Sequence, residues 1–150
     1  MKITQFYPKL ALFFIAIIFI ISCTKDDKTI AQGITAAQVN NIITVGTWNV
    51  TLYDEAGTIE TTDFTGYSFV FDVKGTLVAT NTPTIKEGTW NSTTESGFVK
   101  IPIDFPLETS GSFKSISEDW IVLTVVDSKI ELKHTSSEDG SIDLLTFEKL

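Results

Sequence analysis

The chain has 150 residues, of which 43% are hydrophobic, and its 19 acidic side chains outnumber its 11 basic ones for a formal net charge of −8. None of the basic residues is an arginine, so planar forks for phosphate or carboxylate are absent, and the acidic balance excludes nucleic acid as a partner. One cysteine, Cys23, leaves no intrachain disulfide, so stability must come from a hydrophobic core.

In chain order, Lys2 and Lys9 form a basic start, Leu10 to Ile21 is an unbroken apolar run, and Ser22 precedes Cys23. That is the layout of a secretory signal with a small residue at the cleavage point, and the run is shorter than the roughly 20 residues that span a bilayer. The placement of Cys23 resembles the lipobox of bacterial lipoproteins, in which the thiol is acylated and the signal is cut before it. Residues 1–22 are therefore expected to be a signal peptide, 23–33 a lipidated tether, and 34–150 one domain. Removing 1–22 takes two lysines and no acid, leaving nine positive against nineteen negative groups, a net of −10. Lys25-Asp26-Asp27 after the cysteine resembles the surface-export signal of Bacteroidetes lipoproteins. An outer-membrane location on the cell surface follows from that likeness, with a periplasm-facing anchor as the alternative.

Thr35 is placed to cap a helix over 36–43, where Ala36, Val39, Ile42 and Ile43 share a face. Beyond Gly46 the texture becomes β-branched and aromatic, with turn residues about every ten positions. Strands are predicted near 47–53, 66–72, 76–81, 85–91, 97–104, 120–126, 129–134 and 142–149, with a further short strand at 58–63. Trp48, Val50 and Leu52 alternate with polar neighbours, as do Tyr67, Phe69 and Phe71, and Ile130, Leu132 and His134. Such alternation describes a sheet with one buried face. Residues 105–118 form the one long link, with room for a helical turn. Trp120 to Val126 is apolar on both faces, so either the 36–43 helix covers its outer side or Ile121, Leu123 and Val125 dock a partner. The fold class is all-β: a small antiparallel up-and-down barrel of about eight strands, closed because closure removes edges, with a short N-terminal helix.

Gly46-Thr-Trp48, directly after that helix, resembles the Gly-x-Trp signature of lipocalins. The wider set includes Phe64 to Phe71, Gly75-Thr-Leu-Val-Ala79, Gly88-Thr-Trp90, Glu118-Asp-Trp120, Lys129-Ile-Glu-Leu132 and Leu145-Thr-Phe-Glu-Lys149. Over residues 34–150 it resembles lipocalin-like lipoproteins of flavobacteria, a group largely without assigned function. The resemblance implies a tryptophan plugging one barrel end. It departs at the arginine that lipocalins lay over that tryptophan, for which Lys149 is the nearest basic residue.

Inward Trp48, Tyr67, Phe69, Phe71 and Trp90 are the candidate ligand wall, although a small barrel needs such side chains merely to fill it. His134 has no second histidine to share a metal, and zinc sites need three or four ligands; no metal or cofactor is expected. The acidic stretch Ser136 to Asp143 lacks the spacing of a helical calcium loop and reads as a turn. No Gly-x-Ser-x-Gly elbow occurs, and adjacent Glu118 and Asp119 point to opposite strand faces. The chain is thus expected to be a non-enzymatic, surface-tethered lipoprotein, its filled barrel a structural or protein-interaction module. The alternative is a lipocalin-like binder of a small apolar or amphipathic ligand.

Overall fold

The computed structural model describes residues 33–150; the expected signal, Cys23 and nearly all of the tether lie outside the described residues. Helix α1 spans Ala36–Ile43. Its start is a capping box: the Gln38 backbone N–H donates to Thr35 Oγ1 at 3.2 Å, and the Thr35 N–H donates to Gln38 Oε1 at 2.9 Å. Val39 and Ile43, one helical turn apart, are fully buried.

Ten strands follow: β1 Trp48–Glu55, β2 Thr58–Ile59, β3 Ser68–Phe71, β4 Thr76–Asn81, β5 Thr84–Trp90, β6 Thr93–Glu95, β7 Phe98–Asp104, β8 Asp119–Val126, β9 Lys129–Thr135 and β10 Ile142–Lys149. A short helix α2, Ser112–Ser115, lies in the β7–β8 link, and a 3-10 turn covers Thr61–Phe64. The sheet runs β10-β9-β8-β7-β5-β4-β3-β1, all antiparallel, and β1 pairs with β10, closing eight strands into a barrel. Strand β2 extends β1 as a hairpin; β6 continues β5 along β7 after a break at Asn91 and Ser92. At that break the Asn91 N–H donates to the carbonyl of Pro102, which has no N–H to return.

Wall, closure and the helical turn follow the expected order. The expected strand at 58–63 is two strand residues and a 3-10 turn. The unexpected β6 is formed by Thr93-Thr94, which pair across the Ser96-Gly97 reversal with Lys100 and Val99.

Two bulges alter which residues face inward. In β1 the register with β10 slips between Val50 and Leu52, so Tyr53, opposite Leu145, takes the inward place expected for Leu52. In β8 the slip falls between Val122 and Thr124. Val125 then pairs with buried Ile130 and turns inward, while Leu123 is buried. The expected outer strip of Ile121, Leu123 and Val125 is therefore not continuous. Helix α1 does not cover the outer wall of β8 either; it sits across the barrel end, beside the inward Val125.

The barrel has two distinct ends. One, the helix end, holds α1, the starts of β1, β4 and β9, the β6–β7 turn and the C-terminus. The other holds the link from β1 to β3, the β4–β5 turn, α2 and the β9–β10 turn. Between them aromatic rings fill the interior: Phe147 meets Phe71 and Phe69 edge-on at 5.3 and 5.4 Å, and Phe71 meets Trp90 at 5.5 Å.

Packing is tightest where β5 passes the end of β7. A Cβ on Gly88 would lie 2.5 Å from the Asp104 carbonyl oxygen and 2.9 Å from the Phe105 ring. Since the obstacle is partly backbone, Gly88→Ala is expected to cost about 1–3 kcal/mol. The exposed neighbouring change Thr89→Ala should stay within roughly 0.5 kcal/mol. Urea denaturation of both variants reads the difference.

Candidate functional site

The five aromatics expected to line a ligand wall are all found facing the barrel interior or its ends. Trp48 is fully buried; its indole Nε1–H donates to the Ile43 carbonyl at the end of α1, 2.8 Å away. Lys149 Nζ lies 4.8 Å above its ring. The ammonium makes a cation–π contact of about 0.5–2 kcal/mol with the buried indole. Gly46 is required by its backbone, whose φ of +89° is unfavourable for other residues, while a Cβ there would only touch the Lys149 chain.

Phe69 and Phe71 are buried around Phe147. Tyr67 is half-buried, its ring 4.9 Å from that of Phe113. Trp90 closes over Phe71 and donates its Nε1–H to the Asp72 carbonyl at 3.0 Å. Trp120 repeats the device, donating to the Ile116 carbonyl at 2.9 Å. Each tryptophan therefore ties a strand to the link that covers a barrel end: α1, the β3–β4 turn, or α2.

The residue that sequence reasoning passed over is Phe113. It enters the end opposite α1 and meets Phe64, Tyr67 and Phe105 at 5.4, 4.9 and 4.9 Å, and it stacks on Phe69 at 6.0 Å. Lys86 Nζ lies 5.0 Å over its ring. Glycine and serines on one side and Lys114-Ser115 on the other give this lone aromatic no periodicity.

The described grooves lie outside this filled interior. At the helix end a groove of about 620 Å³ runs between α1 and the β3–β4 turn, lined by Asn40, Asn41, Thr44, Val73, Lys74 and Trp90 among others. Trp90 is the one expected wall residue that borders it.

At the opposite end two shallow grooves, of about 640 and 460 Å³, share Glu118 and His134. His134 Nδ1 is 3.2 Å from the Asp119 carbonyl oxygen, which only accepts, so Nδ1 carries the proton. Its Nε2 faces Glu118 at 3.8 Å, and its ring stands 5.9 Å from Trp120. Among the described residues no group of three histidine or carboxylate side chains could hold a metal. In the acidic β9–β10 turn, Asp139 Oδ1 accepts from the Ser141 N–H at 3.0 Å. Hydrogen bonds from Ser141, and then from Ser136, hold that carboxyl below its usual range. Its oxygens serve the turn.

No family model matches the chain, and no curated protein matches it. Among solved structures, a DUF4847 family protein from Bacteroides vulgatus aligns with a TM-score of 0.47 at 16% identity, over 75% of this chain and 97% of that one.

Tyr53 carries the one buried side-chain nitrogen or oxygen among the described residues without a hydrogen bond. Burial, then the nearby Glu55 carboxylate, push its ionisation well above the ordinary value; Ser115 acts in the opposite sense without meeting hydrogen-bond geometry. An unfolded tyrosine ionises near pH 10, whereas the buried one stays neutral. Its contribution to stability is thus complete below about pH 10 and falls as pH rises beyond it. Tyr53→Phe should be neutral or stabilising by up to about 1 kcal/mol at pH 7, and should flatten the alkaline loss of stability. Thermal melts of both proteins from pH 8 to 12 check the two effects together.

Proposed function

We propose that this protein is a lipid-anchored, non-enzymatic barrel of the lipocalin-like lipoprotein type, whose outer surfaces rather than its interior make contact with other molecules. The observation that carries this reading is the filling of both ends. Val39 and Ile43 of α1 occupy one end, and Phe113 with Phe64 occupies the other, with Phe69, Phe71 and Phe147 between them. Binders of small apolar molecules keep a concavity of at least about 300 Å³ that buries most of the ligand. Here the described grooves of that size open outward: three are bordered by amides, hydroxyls and charges, and a fourth, of about 350 Å³, lies between α1 and Val125 with Ile34 and Ile42 on its wall, outside the filled interior.

The non-enzymatic reading has its own support. The single histidine is turned toward a backbone carbonyl, and general acid–base work needs a group positioned against a reacting atom. The anchor reading rests on the basic and apolar run before Cys23. Two or three acyl chains, at about 0.8 kcal/mol for each buried methylene, hold a protein at a bilayer durably, and the Lys25-Asp26-Asp27 stretch supports display at the cell surface.

Mass spectrometry of the membrane-purified chain is expected to show loss of residues 1–22 and added acyl mass. Cys23→Ala should leave an unprocessed, unacylated precursor. A precursor mass in the wild type would sink the anchor reading.

A second measurement addresses the interior. Titration of the wild type with an apolar fluorescent probe such as 1-anilinonaphthalene-8-sulfonate should show no saturable site. Phe113→Ala should cost about 3–5 kcal/mol of stability and, if the variant remains folded, open a site that takes the probe. Saturable one-to-one uptake by the wild type would favour a ligand-binding barrel instead.

A further inference from the structure

We propose that the helix end of the barrel is a membrane-apposed face that rests on phospholipid headgroups, with the acidic end turned away from the bilayer. This inference rests on the anchor reading of Cys23. The described chain begins at Gly33, against α1 at this end. The ten residue steps from Cys23 to Gly33 reach at most about 35 Å even when fully extended. An eight-residue wall strand such as β1 adds about 27 Å of path to the other end. The tether thus joins the barrel at the helix end, but its full reach exceeds the length of the wall, so the orientation rests on what the two ends present.

Charge divides the two ends in the same sense. The links at the far end carry Glu60, Asp63, Glu108, Glu118, Glu138 and Asp139 against Lys114 alone. At the helix end the links carry Asp72 and Asp127 against Lys74, and the strand ends beside them add Glu95 and Glu148 against Lys129 and Lys149, so the links differ by a net of −1 against −5. Lys74, at the tip of the β3–β4 turn, is exposed and makes no ion pair among the described residues. Carboxylates near an anionic leaflet are repelled, whereas a lysine near its surface gains about 1 kcal/mol.

The links at the helix end also present apolar side chains. Val73 is 78% exposed, Val45 58% and Leu150 74%. Val73 lies between Asp72 and the exposed Lys74, and its place beside that lysine suits the headgroup boundary, where the apolar part enters and the ammonium stays with the phosphates. At the far end Ile59, Leu107 and Ile142 each adjoin a carboxylate, Glu60, Glu108 and Asp143, with no lysine beside them. Val126 beside Asp127 is the exception at the helix end, and Ile85 beside Lys86 is its counterpart at the other.

With Cys23 acylated, a newly introduced cysteine is the only free thiol, so the test uses the full acylated chain with one fluorophore at Val73→Cys or at Glu138→Cys. Each is reconstituted into vesicles of phosphatidylcholine with 20–30% phosphatidylglycerol (a composition chosen at about physiological anionic content) and quenched by headgroup nitroxide lipids. The expected result is at least threefold stronger quenching at position 73 than at position 138. Adding Lys74→Glu to the Val73→Cys chain should reduce that contrast on anionic vesicles without changing the acyl mass. Equal quenching at the two positions, or stronger quenching at 138, in a chain of confirmed acyl mass overturns the orientation alone. A chain without acyl mass overturns the anchor, and this proposal with it.

Discussion

The closure of the barrel depends on Trp48. Strand β1 meets β3 at one bridge, Trp48 opposite Phe69, while on its other side it pairs with β10 through six residues beginning at Trp48 and Lys149. The same side chain donates to the last carbonyl of α1 and lies under the Lys149 ammonium. One residue therefore joins the weakest seam, the seam that closes the barrel and the helix that covers the end. An indole suits this position because a large apolar ring can be buried while its single polar atom still finds an acceptor. The C-terminal residue is drawn into the same junction, since the Leu150 N–H donates to the Thr47 carbonyl at 2.9 Å.

Filling follows from the short strands. A barrel wall of four to eight residues encloses a narrow, shallow interior, and aromatic rings from three or four strands are enough to occupy it. Both ends would nevertheless leave apolar rings in water. The chain covers them with two short helices that carry little stability of their own: α1 has eight residues and α2 four, well below the length at which isolated helices persist. They are held by what they cover, through Val39, Ile43, Phe113 and Ile116, and by indole hydrogen bonds from Trp48 and Trp120. The two ends of the outer surface differ in charge and in their exposed apolar side chains.

The unpartnered hydroxyl of Tyr53 belongs to the same account. The β1 bulge brings a tyrosine to a place where alternation alone expects Leu52, and the ring gains an edge contact with Phe64 at 5.5 Å. Burial of the ring is favourable, and the hydroxyl has no acceptor in return. A bulge that serves barrel curvature thus leaves a local electrostatic cost at one buried atom.

Much of this fold was legible in the sequence because its signals are local. Alternation over Tyr67 to Phe71 and over Ile130 to Leu132, turn residues between the runs, and the Thr35–Gln38 capping pair each act within a few residues of one another. The helix at 36–43 and strands β4 and β10 therefore fall where the residues alone place them. What depended on the tertiary structure involves partners distant in the chain. A bulge exists only relative to the strand beside it, so neither the inward turn of Tyr53 and Val125 nor the broken outer strip of β8 could be read from period two. Phe113 plugs an end because four rings from other elements converge on it, and nothing adjacent to it in the chain says so. Lys149 lies over Trp48 because β1 and β10 close the barrel in one particular register. The chain by itself determined the kinds of element and their order; the three-dimensional closure decided which side chains fill the interior and what each end presents to solvent.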